Sequence, residues 1–244
     1  MRSPSSQTTI DGGGARGKGV WLVALVGLVA CVGYTAVEVY LLGGQMAFPL
    51  DDSWIHLQFA RNLAAGEGLA FNPGQLVAGS TAPLWTALVS LIYFLPGHPF
   101  FWVKLLGMLL FLVGGWVTYW LGLKLALPRA FALFSALLTV STSWLVWSAL
   151  SGLEIPLFVV LSLGAIGLHM EELRDETRPP LSLLLMAVAV LARPEALLLM
   201  ALALVDRLLR FERDSEGDLV WQRPAGSAWV VIALGVLAVL VPMA

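Results

Sequence analysis

The sequence predicts an all-α, polytopic transmembrane protein, and three observations carry that prediction. Of 244 residues, 59% are hydrophobic and only 12% are charged, which is more apolar side chain than one water-soluble core of this size can hide. The apolar residues fall in long runs separated by charged or Pro/Gly-marked breaks. The Lys and Arg residues gather at alternate breaks, as the positive-inside rule expects.

Other classes are excluded on the same grounds. The net charge of −2 and the lack of a Lys/Arg cluster interleaved with stacking aromatics exclude a nucleic-acid surface. The single cysteine, Cys31, gives neither a disulfide framework nor a cysteine-based metal site. Leu28-Val29-Ala30-Cys31 is similar to a lipoprotein processing site, but the apolar run continues past it to Leu42. Val20–Leu42 is long enough to span a bilayer and stay there.

Residues 1–18 are Ser/Thr/Gly-rich, with Arg2, Arg16 and Lys18, and read as a disordered cytoplasmic tail. Residues 19–244 read as one transmembrane module. Its spans are expected at 20–42, 100–123, 130–150, 155–170, 181–192, 196–209 and 227–244. Basic breaks at Lys124/Arg129, Arg174/Arg178 and Arg207–Arg223 fall on the cytoplasmic side with the N-terminus. The breaks at 43–99, 151–154 and 193–195 then share the opposite face. That count of seven requires 83–95, which is short for a span, not to cross. It reads as a helix dipping into the outer interface. Residues 181–209 also admit a second reading, a single kinked helix with Arg193-Pro194-Glu195 midway.

Asp51-Asp52 is the most informative pair in the first outer loop, 43–99. Two adjacent carboxylates must be solvated, bind a cation or take up a proton. They suit a metal site or a general base, and equally the capped start of a helix. A helix over about 53–65 follows, with Ile55, Phe59 and Leu63 on one stripe and Gln58, Arg61 and Asn62 on a polar arc. His56 sits on its apolar flank, as a ligand or in an interfacial hydrogen bond. Thr81 is a candidate cap for the dipping helix. Glu154, near the start of the next helix, is a cap or a partner for Asp51-Asp52. Arg193 and Glu195 are ionisable residues between apolar runs. They make an internal pair at a turn, or Arg193 holds a phosphate. Lys104, at the outer end of its span, is a second phosphate partner or a snorkelling lysine.

Asp51-Asp52-Ser53-Trp54-Ile55-His56, Ala60-Arg61-Asn62-Leu63-Ala64, Gly66-Glu67-Gly68, Phe71-Asn72-Pro73-Gly74 and Gly79-Ser80-Thr81-Ala82-Pro83-Leu84-Trp85 together resemble the first outer loop of GT-C glycosyltransferases. The nearest likeness is to mycobacterial-type arabinofuranosyltransferases, with protein mannosyltransferases and aminoarabinose transferases more distant. Ser151-Gly152-Leu153-Glu154 and Arg193-Pro194-Glu195 are similar to later outer-face segments of that family. The resemblance implies a seven-span module with two interfacial helices in the first outer loop. It also implies transfer of a sugar, with inversion, from a polyprenyl-phosphate donor to an acceptor hydroxyl of a glycan, lipid or protein. The site would face the extracytoplasmic side of the inner (plasma) membrane. Asp51 would be the general base, with Asp52 beside it as a cation or acceptor ligand. Some members use a divalent cation there (Mg, Mn or Ca). His56, Arg61, Lys104, Glu154, Arg193 and Glu195 would line the substrate site. Family members continue well beyond the point matching Ala244, so this chain is expected to correspond to the front portion of such an enzyme. The alternative is a non-catalytic scaffold subunit that keeps a truncated module within a larger membrane complex.

Overall fold

A computed structural model describes residues 12–75, 79–175, 178–209, 211–213, 219–221 and 233. These form nine helices: α1 (Gly12–Leu41), α2 (Asp51–Ala64), α3 (Pro83–Ile92), α4 (Pro99–Lys124), α5 (Arg129–Ser141), α6 (Ser143–Leu150), α7 (Ile155–Arg174), α8 (Leu181–Ala192) and α9 (Ala196–Leu208). Two three-residue strands, β1 (Phe211–Arg213) and β2 (Leu219–Trp221), pair antiparallel. The ribbon is a small departure from the all-α expectation. The last expected span, 227–244, lies outside the described residues apart from residue 233.

Among the described residues, three segments are long and apolar enough to cross a membrane: Gly17–Leu41, Pro99–Lys124 and Ile155–Arg174. α1 shows why. It turns Trp21, Leu25, Val29 and Val32 outward, each more than half exposed, while Val23 and Cys31 are buried. A helix that is apolar all round needs an apolar solvent on its outer side. The helix also begins at Gly12, within the expected tail 1–18, whose residues 1–11 lie outside the described residues.

The expected span 130–150 is broken. α5 and α6 meet at Thr142 with a 55° bend. Its cause is legible in the side chains. Ser135, Thr139 and Thr142 each donate a hydroxyl to the carbonyl four residues back, at 2.9, 3.0 and 2.7 Å. Such back-bonding competes with the helical ladder and bends it. Thr142 itself is extended, at φ −73° and ψ 112°.

The helices run alternately, so their ends segregate. At one end α1 (Glu38), α4 (Lys104) and α6 (Leu150) are tied together by hydrogen bonds. Glu154, just before α7, reaches Arg193, just after α8, at the same end. At the other end Lys124 of α4 pairs with Glu171 of α7, and Arg174 donates to the Lys124 carbonyl at 3.1 Å. Arg207, near the end of α9, pairs with Glu172 of α7 and lies 3.3 Å from the Ser182 hydroxyl near the start of α8. This contact overturns the single-kinked-helix reading of 181–209. A continuous rod would hold Ser182 and Arg207 at opposite tips, whereas α8 and α9 double back at Arg193-Pro194-Glu195.

α2 and α3 pack on each other at the Glu38 end, and α3 also packs against α8 and α4. Trp85 anchors α3: it is fully buried and its indole donates to the Gly152 carbonyl at 3.0 Å. Ser53 anchors α2 by donating to the Ser151 carbonyl at 2.6 Å. The Tyr93 hydroxyl donates to the Leu57 carbonyl at 3.0 Å and locks the pair. α3 ends at Ile92, before the expected Leu95, and is too short to cross.

Candidate functional site

Asp51 and Asp52 are the first two residues of α2, which starts two residues earlier than expected for capping by Asp52. The residue before the helix is Leu50, which offers no side-chain cap, so the two carboxylates supply the negative charge that a helix N-terminus favours. Asp51 Oδ1 accepts the Asp52 N–H at 3.0 Å. Both side chains remain exposed. Thr81, likewise, does not cap α3: that position is Ala82, whose N–H contacts the Ser80 hydroxyl at 3.4 Å.

One turn along α2 from Asp52, His56 is buried, and its Nε2 lies 3.3 Å from Glu154 Oε2. The His56 Nδ1 has no partner among the described residues. Glu154 is 5% exposed, and its Oε1 accepts from Arg193 Nη1 at 2.8 Å. Arg193 also grips Glu195, with Nη2 to Oε1 at 2.7 Å and Nε to Oε2 at 3.2 Å. His56, Glu154, Arg193 and Glu195 therefore form one continuous polar network, from α2 through the start of α7 to the α8–α9 turn.

The electrostatics follow from burial and charge. Burial pushes the Glu154 carboxyl up, but the His56 ring, its own backbone N–H and the Arg193 charge together hold it below the usual carboxylate value. The hydrogen bonds to Glu195 lift the Arg193 guanidinium, against its partial burial, and the charges of Glu154, Glu195 and Asp52 add to that lift. Asp52 thus belongs electrostatically to the network. Arg193 spends three of its five N–H donors on the two glutamates, leaving two. Glu195 is the partner an incoming anion would displace, since its side chain is 56% exposed against 7% for Glu154.

Two expected site residues lie apart. Lys104 is 5% exposed and holds Glu38 Oε1 and Oε2 at 3.0 and 2.9 Å and the Leu150 carbonyl at 2.9 Å. All three of its donors are engaged, so it neither snorkels nor has a hydrogen left for a phosphate. Glu38, its partner, was the residue to look for. An acid alone within the apolar run Val20–Leu42 calls for a cation on a neighbouring helix. Arg61 is exposed, about 13 Å further along α2 from Asp52 at ~1.5 Å per residue. Its charge reaches Tyr93, whose hydroxyl burial pushes up and Arg61 draws down.

No group of three or more His, Cys, Asp or Glu side chains converges as a metal cage among the described residues. Asp51 and Asp52 alone match the pattern of a hard cation that keeps most of its waters. A second cluster at the other end has the outline of a nucleophilic triad: Asp206 Oδ2 is 2.9 Å from His169 Nε2, and His169 Nδ1 is 3.5 Å from the Ser182 hydroxyl. Ser182, however, is fully buried and donates to Glu172 Oε2 at 2.5 Å. Its proton is committed, and the cluster fastens α7, α8 and α9 together.

No protein-family model matches the chain, and neither a curated protein nor a solved structure matches it.

Proposed function

We propose that this chain is the membrane module of a glycosyltransferase that moves a sugar from a polyprenyl-phosphate donor to an acceptor hydroxyl, with inversion. One observation carries the reading. Three of the segments on which the resemblance to GT-C enzymes rests, Asp51–His56, Ser151–Glu154 and Arg193–Glu195, are far apart in sequence yet meet at one end of the bundle. Packing alone does not require a buried Glu154 flanked by His56 and Arg193 at that junction; a charged site does.

In the proposed reaction the acceptor oxygen attacks the anomeric carbon as the bond from that carbon to the phosphate oxygen breaks. Asp51, exposed at the tip of α2, takes the acceptor proton. The departing lipid phosphate keeps the bonding electron pair. Arg193 offers it two free N–H donors, and more if Glu195 swings away. Glu154 and His56 position Arg193 and do not touch the reacting atoms. A divalent cation on Asp51-Asp52 would add charge neutralisation at the phosphate. The proposal includes the seven-span count, with α5–α6 as one broken span and α8 and α9 as two short ones, and places the Asp51 end outside the inner (plasma) membrane.

The test is transfer from a radiolabelled polyprenyl-phosphate sugar in membranes expressing the chain with whatever partner it requires. Asp51→Asn should lower the rate by roughly 10²–10⁴-fold, the usual contribution of a general base. Its thermal unfolding should not change. Near wild-type transfer by Asp51→Asn would remove Asp51 from the mechanism. A wild-type chain that neither transfers sugar nor binds polyprenyl phosphate, but co-purifies with stoichiometric partners, would favour the scaffold subunit.

A further inference from the structure

At the end of the bundle remote from Asp51, a cavity of ≈ 350 Å³ opens between α1, α4 and α5. Lys18 and Arg129 stand at its rim, Tyr119 forms its back, and Leu22 and Leu133 line it with apolar surface. Both cations are exposed, and neither makes an ion pair among the described residues. Arg129 is also the first residue of α5, a helix with no side-chain cap and no acid in its first turn. Two full positive charges thus meet the positive end of a helix dipole with no counter-charge among the described residues. An anion is what this arrangement lacks.

Tyr119 supplies an independent pointer. It is only 5% exposed, and its hydroxyl has no hydrogen-bond partner among the described residues. The hydroxyl borders the cavity beside Gly19, where an added Cβ would lie 3.6 Å from it. That unpaired hydroxyl can donate to an anionic oxygen seated in the cavity.

We propose that this cavity binds the phosphate of an anionic phospholipid headgroup, with Lys18, Arg129 and the Tyr119 hydroxyl as its ligands. The surroundings select a lipid over a free anion. Trp21 is 76% exposed next to the cavity, where an interfacial aromatic is expected, and the outward faces of α1 and α5 carry exposed Leu25, Phe131 and Phe134. Leu22 and Leu133 join that apolar surface to the cavity, so a headgroup seated there can lay its acyl chains along both helices. The inference is independent of the glycosyltransferase reading, since it uses none of the residues near Asp51.

The experiment is native mass spectrometry of the purified, delipidated chain in detergent, titrated with phosphatidylglycerol, with phosphatidylcholine and, separately, with inorganic phosphate. Phosphatidylglycerol should bind more tightly than phosphatidylcholine. The double variant Lys18→Ala/Arg129→Ala should weaken phosphatidylglycerol binding by roughly thirtyfold, the effect of two cations at an anionic headgroup. Tyr119→Phe, which keeps the ring and its packing, should weaken it several-fold. Equal phosphatidylglycerol binding by wild type and both variants would overturn the proposal. So would inorganic phosphate that binds as tightly as the lipid and displaces it, since the site would then serve a soluble anion.

Discussion

The Lys104 ammonium sits between both carboxylate oxygens of Glu38, at 2.9 and 3.0 Å, and the Leu150 carbonyl, at 2.9 Å, so one lysine joins α4 to α1 and α6. The Lys104 and Glu38 side chains are 6% and 16% exposed. Removing either partner strands a buried charge. Lys104→Met or Glu38→Gln alone should therefore destabilise the protein by about 3–5 kcal/mol. The double variant Glu38→Leu/Lys104→Met should recover most of that loss. Thermal unfolding of the four proteins in one detergent measures the coupling, and additive losses would show that the pair is not a unit.

Glu154 should give the protein a measurable acid limb. Its native carboxyl is held below the ordinary value of 4.5. The stabilisation is thus fully present above the unfolded-state value and is lost as pH falls through the lower folded one. Glu154→Gln should lower stability at pH 7 by about 2 kcal/mol, less than for a fully buried pair because the Arg193 side chain is 32% exposed. The variant should also unfold with a shallower loss of stability below pH 4.5 than wild type. Superimposable acid limbs would mean that Glu154 is not the titrating group.

Gly152 adopts φ +84°, and a Cβ there would lie 2.8 Å from the Phe48 ring. Gly152→Ala should therefore cost about 1–3 kcal/mol from backbone strain, with the steric clash added. Because the Gly152 carbonyl accepts from Trp85, the same change should loosen α3. Tryptophan fluorescence that shifts toward the solvent-exposed value before global unfolding would report that loosening. An unshifted spectrum and unchanged melting would refute it.

The segregation of the helix ends predicts a labelling pattern. The single native thiol, Cys31, is buried and leaves a clean background. Asp51→Cys and Glu195→Cys in intact cells should react with an impermeant maleimide from one side of the membrane. Arg129→Cys and Arg178→Cys should react only from the other. Labelling of Glu195→Cys and Arg178→Cys from the same side would break the proposed path of α8.

Much of this molecule was readable from the chain alone, and the failures share a cause. Helices α4, α7 and α8 were placed within a few residues, because runs of Leu, Val and Ala bounded by Pro or a charge leave little choice in lipid. The non-crossing α3 followed from its length. Arg193 stands out because charge amid apolar sequence is expensive, and Glu154 because it falls at the start of a helix on the face expected for Asp51-Asp52. Which carboxylate Arg193 holds was not readable, since that depends on how α7 meets α8. The partner of Lys104 is hidden for the same reason: Glu38 lies 66 positions away. The break at Thr142 had a local signal, the hydroxyls at 135, 139 and 142, hidden within an otherwise unbroken apolar run.

The brevity of α8 and α9 bears on the bilayer itself. At ~1.5 Å per residue, 12 and 13 residues give about 18 and 20 Å, whereas the hydrocarbon core is about 30 Å thick. In the seven-span arrangement proposed above, lipid packed against this hairpin would compress to match it, or leave a dent with the headgroups drawn inward above Arg193. Water would fill such a dent. A polar group on a long lipid could then slide sideways from the monolayer to the guanidinium without leaving water and without lifting its tail from oil.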